Sequence, residues 1–177
     1  MTLLGNWLSR LLYGLLLIML GLTAVGAVVA IVGIVWTWLN PGTLWEYPFK
    51  VQYSTVVISW PNTAEARLAV CYVGLGLCTI LAMALVPLTQ LSRSAMTGDP
   101  FAINNVGRLR VIACAFLLVA AGRILLPSIL PSPAYEIFQT AHPHLDFGPL
   151  FAALVLFVLA EVFREGVRLR EDAEATI

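Results

Sequence analysis

Charge is what this sequence has least of. Only 11% of its 177 residues are Asp, Glu, Lys or Arg, less than half the share of about 25% in an ordinary soluble domain. Lysine is reduced to Lys50 alone, and the other nine basic side chains are arginines. Ten basic residues cancel ten acidic ones, which excludes the global positive field that draws proteins to nucleic acid. Cysteine is nearly as sparse. Cys71, Cys78 and Cys114 all lie in apolar runs without a CxxC pair, so a disulfide framework is excluded and they read as small buried hydrophobes. No nucleophile-and-base pairing, glycine-rich phosphate loop or intramembrane carboxylate dyad stands out. The residues give enzymatic chemistry no support, and no cofactor is expected.

What fills the space is apolar. Hydrophobic residues make up 60% of the chain, with a mean hydropathy of +0.90. From Leu11 to Leu39 run 29 residues without a charge, and three more long apolar runs follow. A helix rises 1.5 Å per residue and needs about 20 apolar residues to cross the hydrocarbon core. Arg10 and the small residues Ala27 to Ala30 superficially suggest a secretory signal. The apolar region of a signal is about 7–15 residues, however, and this one is far longer. A retained first span is expected.

The expected fold is an all-α membrane protein, a four-transmembrane-helix bundle forming one domain over residues 1–177. Spans fall at about 11–39, 66–91, 109–126 and 147–163. Glycine pairs seven apart on span one, Gly14/Gly21 and Gly26/Gly33, each share a helix face where small residues let helices approach closely. Asn40, Pro41 and Gly42 end span one. The first outer loop, 40–65, carries Trp45, Tyr47, Phe49, Tyr53 and Trp60, an interfacial aromatic belt together with Trp36 and Trp38. Its segment from Phe49 to Trp60 favours strand, which predicts a small β-rich extracytoplasmic patch. Pro87 should kink or end span two. In the 92–108 connector, Asp99 is placed to cap helix three and Pro100 to open it. That helix should end at Leu126–Pro127. The second outer loop, 127–146, is broken by four prolines, and the fourth helix should continue through Arg170 into a tail, 164–177.

Orientation follows from the arginines. The N-terminus, connector and tail hold Arg10, Arg93, Arg108, Arg110, Arg164, Arg168 and Arg170, whereas the opposite loops hold Lys50 and Arg67. Positive charge collects on the cytoplasmic side. Both termini are therefore expected inside the bacterial cell (inner) membrane, in agreement with four spans.

Few residues offer chemistry. Arg123 lies within span three, where an ionisable group costs about 2.5–3.5 kcal/mol at a helix centre. Two readings stand: its guanidinium snorkels or pairs with Asp146, or it contacts a solute. His142, Pro143, His144 and Asp146 bring three metal-ligand types together, but no outer Cys, His or Glu completes the set, and a polar loop is the expectation. On the cytoplasmic side, spans three and four are sequence neighbours and leave the membrane side by side. Arg108 and Arg110 would then face Glu161, Glu165, Glu171 and Asp172, with Arg108–Glu161 the foremost pair. This network either fastens two helix ends or presents a charged platform to a soluble partner.

The same segments carry a resemblance. Gly98, Pro100, Phe101, Asn105, Arg108, Leu109 and Arg110 match the connector pattern of a bacterial four-span family, domain-of-unknown-function family 2975. The tail, with Phe163 to Gly166, Leu169 to Asp172, Glu174, Thr176 and Ile177, is similar to that family's ending. Asn104 stands where members usually have Glu, and Ala175 where they often have a larger apolar residue. The resemblance implies the four-span layout and no activity. Members are often encoded beside an Xre/Cro-type helix-turn-helix regulator, which implies such a protein as cytoplasmic partner, alongside the lipid bilayer. The function expected is a non-enzymatic membrane component that senses or relays, without direct nucleic-acid binding. The alternative is a transport or accessory subunit with Arg123 near a solute path. A metal-dependent enzyme built on His142 and His144 is the weakest of the three.

Overall fold

The computed structural model describes residues 2–42, 51–53, 56–58, 63–97, 102–129 and 147–175. Four helices account for nearly all of them: α1 (Thr2–Leu39), α2 (Ala64–Met96), α3 (Ile103–Ile129) and α4 (Phe147–Ala175). Between α1 and α2 the described residues include two strands, β1 (Val51–Tyr53) and β2 (Val56–Ile58). They pair antiparallel, with Val51 opposite Ile58. The aromatic residues expected at that interface, Trp45, Phe49 and Trp60, lie outside the described residues, as do Asp99 and Pro100.

Among the described residues, three helices are long and apolar enough to cross a membrane, over Ser9–Leu39, Ala64–Met96 and Phe147–Ala173. This is a membrane protein by that measure. Ile18, Leu22, Val25 and Val29 of α1 are each about three-fifths exposed or more. In water such a face would be an aggregation hazard, whereas lipid is its natural solvent. α3 carries three arginines, Arg108, Arg110 and Arg123, along its apolar sequence. Its membrane crossing belongs to the reading proposed below.

Hydroxyls inside these helices bond to their own backbone, as a medium without water requires. Thr23 Oγ1 donates to the Met19 carbonyl at 2.7 Å, Thr37 to Gly33 at 2.7 Å and Thr79 to Leu75 at 2.8 Å. α1 closes where the Asn40 amide reaches the Trp36 carbonyl at 2.9 Å. Thr63 caps α2 by accepting from the Ala66 amide at 3.4 Å, and Glu65 places a negative charge in the first turn, where the helix dipole favours it.

Several expected boundaries move. α2 runs through Pro87 to Met96 rather than ending there. Proline removes one donor and leaves the rest of the ladder, so flanking turns can carry the helix on. Just after it, Thr89 Oγ1 donates to the Val86 carbonyl at 2.7 Å. α3 continues two residues beyond Pro127, and α4 five beyond Arg170.

The chain divides into two compact units. The first comprises Met1–Thr23, Ile80–Ala120 and Asp146–Ile177. Its core is Val106, Leu109 and Ala160, with Leu91, Leu156 and Phe163 packed against them. α2, α3 and α4 all contribute.

The second unit comprises Ala24–Thr79 and Ala121–Leu145. Here α1 and α2 approach closely at glycine. A methyl group built on Gly33 would stand 2.8 Å from Cys71 Sγ, and one on Gly26 would stand 3.2 Å from Cys78 Sγ. The seven-residue glycine pair therefore faces a seven-residue cysteine pair, in antiparallel order. Gly14 and Gly21, expected to behave alike, have nothing within 4 Å of an added methyl. Cys71 and Cys78 are half-buried, whereas Cys114 is exposed on α3. A thiol in an apolar run need not be buried in protein to escape water. Arg67, counted above as a loop cation, is instead a buried member of α2's first turns. Its Nη2 donates to the Pro41 carbonyl at 3.2 Å.

Candidate functional site

The charged residues singled out on the connector and tail fall in the first unit, where the ends of α2, α3 and α4 come together. On α3, Val106 and Leu109 turn into the core. Residues two apart on a helix do not share a face, so Arg108 and Arg110 diverge on either side of Leu109. That geometry decides their partners.

Arg110 Nη2 lies 2.8 Å from Glu161 Oε1. The second oxygen of that carboxylate, Oε2, is 2.8 Å from Arg164 Nη2, three residues along α4. Glu161 is thus shared between a cation of its own helix and one of α3. The expected Arg108–Glu161 pair does not form. Arg108 turns instead towards α2, donating from Nε to Gln90 Oε1 at 3.0 Å and from Nη1 to Asn105 Oδ1 at 2.7 Å. Nη1 also approaches the Gln90 carbonyl at 3.5 Å. Asn105 is fully buried, and its Nδ2 donates to Ser94 Oγ at 3.0 Å. A buried amide left without partners costs about 1–3 kcal/mol, so this network fixes the α2–α3 connection.

Further along α4, Arg168 Nη1 lies 3.6 Å from Glu165 Oε1, and its Nε lies 4.0 Å from Asp172 Oδ2. Glu161, Arg164, Glu165, Arg168 and Asp172 recur at three- and four-residue intervals, the spacing of a single helix face. All are exposed, as is Glu171. The arrangement is a charged stripe of alternating sign, tied to α3 at one end through Arg110. Exposed pairs of this kind contribute about 0–1 kcal/mol each. Pairs this weak do little to hold the fold.

Arg123 is exposed on α3. Its expected partner Asp146, and the histidines His142 and His144, lie outside the described residues. Among the described residues no group of three His, Cys, Asp or Glu side chains is placed to hold a metal ion.

The residues missed by sequence reasoning are Gln90 and Ser94. They stand four apart near the end of α2, as Asn105 and Arg108 stand three apart at the start of α3. Two short polar patterns flanking one tight connector signal a network, and Asn105 already belonged to the connector motif.

A protein-family model described as "Protein of unknown function (DUF2975)" matches residues 57–177. The match takes in α2, α3, α4 and the whole charged site, while α1 precedes it. No curated protein and no solved structure matches the chain.

Proposed function

The chain belongs to the DUF2975 family, and from that premise we propose that it is a non-enzymatic sensing or regulatory component of the bacterial inner membrane. In this reading all four helices cross the bilayer, both termini are cytoplasmic, and the 40–65 and 127–146 loops are outside. The seven-to-two bias of arginines and lysine supports that orientation. The observation that carries the functional reading is the stripe from Glu161 to Asp172. Ordered pairs of alternating charge extend along α4 past the apolar stretch, in a chain that is poor in charge overall. Such a surface selects a partner of complementary pattern and discriminates against others. The family resemblance implies a small soluble helix-turn-helix regulator of the Xre/Cro type as that partner. Any effect on transcription would then be indirect, because the chain has neither a net basic charge nor a DNA-reading motif.

The test is direct binding of the full chain, held in nanodiscs, to a purified helix-turn-helix regulator of the Xre/Cro type from the same organism. Arg168→Glu, which reverses the charge at the middle of the stripe, should weaken binding at least fivefold, and the effect should shrink with added salt. Binding unaffected by the reversal, or no binding at all, would count against the platform.

Exposure of Arg123 within α3 favours a second reading, an accessory or transport subunit with this guanidinium near a solute path. The two separate at Arg123→Lys. A snorkelling cation tolerates lysine, whereas a planar fork recognising a carboxylate or phosphate does not. The proposed role requires tolerance.

A further inference from the structure

The helices carry uncharged stretches of two very different lengths. α1 is uncharged over 29 residues from Leu11 to Leu39, and α2 over 25 from Leu68 to Ser92. At the helical rise these stretches measure about 44 and about 38 Å, more than the roughly 30 Å hydrocarbon core. α4 is uncharged only over the 14 residues from Phe147 to Ala160, between Asp146 and Glu161, or about 21 Å. α3 has 12 uncharged residues, Val111 to Gly122, between Arg110 and Arg123, or about 18 Å.

Three observations make the short pair more than a counting result. First, Arg110 and Glu161 are joined at 2.8 Å, so both short stretches end at one level. Second, α4 is bounded by acids, whose side chains lack the long stems by which Lys and Arg snorkel to an interface. Third, Phe147, Phe151, Leu154, Val158 and Val162 are all exposed and recur on one face of α4. From Phe147 to Val162 that apolar face spans about 22 Å; beyond it Leu169 is again exposed, now among the charges of the stripe.

We infer that α4, joined to α3 through Arg110, is fitted to a hydrocarbon layer of about 20 Å, so that the protein gathers short-chain lipid around this helix and responds to bilayer thickness. A helix that is too long can tilt, whereas one that is too short thins the bilayer, snorkels its flanking residues or oligomerises, and acids snorkel poorly. In a thick bilayer the Glu161 end is pulled towards the hydrocarbon and the charged stripe is withdrawn. Thickness thereby sets how much of the platform is presented. This deepens the proposed function, since it rests on α3 and α4 both crossing the membrane.

The experiment uses the full chain in nanodiscs of phosphatidylcholine with monounsaturated chains of fourteen, eighteen or twenty-two carbons. Val162→Cys is labelled with a membrane-impermeant maleimide, with the unsubstituted chain as control for Cys71, Cys78 and Cys114. Labelling should fall at least threefold from the shortest to the longest lipid, and the thermal midpoint should be highest in the shortest. In sealed vesicles, Ala102→Cys and Ser132→Cys report whether α3 crosses. Opposite-side labelling with no response to chain length overturns this inference alone. Same-side labelling overturns it together with the four-span reading.

Discussion

Arg110 and Glu161 meet at 2.8 Å between α3 and α4, and Arg164 holds the other oxygen of the same carboxylate at 2.8 Å. The pair is half-exposed on both sides, so in water it would be worth about 1 kcal/mol at most. Arg110→Glu replaces attraction by repulsion and should lower the thermal midpoint in detergent. Combining it with Glu161→Arg should recover only part of that loss, because the relocated arginine lies one turn from Arg164. Strictly additive damage in the double variant would rule out the pairing.

Arg108 belongs to a different network. A double-mutant cycle between Arg108→Ala and Gln90→Ala should show a coupling of about 0.5–1.5 kcal/mol. The same cycle between Arg108→Ala and Glu161→Ala should show a small one. Equal couplings would mean that the two arginines share one site.

Asn105 is fully buried, donates to Ser94 and accepts from Arg108. Asn105→Leu should destabilise the chain by about 1–3 kcal/mol, since it removes from a buried position both the acceptor of Arg108 Nη1 and the donor to Ser94 Oγ. Asn105→Asp should be milder, because an acid still accepts from Arg108 and can accept from the Ser94 hydroxyl. Thermal unfolding in detergent ranks the two, and the opposite order would contradict the network.

Much of this architecture was legible before any coordinates. Uncharged stretches long enough to cross a bilayer placed α1 and α2, a shorter apolar run placed α4, and breaker residues after Leu39 placed the first helix end. The sharing of Glu161 was only half legible. Sequence shows that Arg108 and Arg110 stand on different faces, but not which face meets α4. That depends on helix rotation, which the packing of Val106 and Leu109 sets. Of the two outcomes open at Pro87, ending the helix is the one that does not occur, because the cost of a lost backbone bond depends on its surroundings rather than on the residue alone. Gln90 and Ser94 were missed because isolated polar residues near a helix end look like ordinary solvent-facing ones.

The glycines of α1 separate cleanly by position. Gly33→Leu should destabilise by about 1–3 kcal/mol through overpacking against Cys71. Gly33→Ala should be partly relieved by adding Cys71→Ala, which removes the sulfur in its way. Gly14→Ala and Gly21→Ala have open space and should be neutral or mildly stabilising, since alanine is the better helix former. Unfolding midpoints for the series check this, and equal penalties at Gly14 and Gly33 would refute it.

Arg67 is buried and donates to the Pro41 carbonyl at the end of α1. Arg67→Ala should cost about 1.5–3 kcal/mol, the range for a hydrogen bond to a charged group. Arg67→Lys should recover less than half of this, because the planar fork cannot be reproduced by a single ammonium. Full recovery by lysine would show that charge, rather than geometry, is what this position supplies.

The facing seven-residue spacings of Gly26 and Gly33 on α1 and of Cys78 and Cys71 on α2 work as a key with two teeth. Sliding one helix along the other by a single residue unseats both sulfurs at once. Only a jump of a full heptad, about 10 Å, brings a glycine opposite a cysteine again, and then only one of the two. Within this unit α1 therefore has one axial setting against α2, and intermediate positions are penalised rather than graded. A force that tilts or draws on α1 should move the two helices there as a single lever, and slippage should not dissipate it.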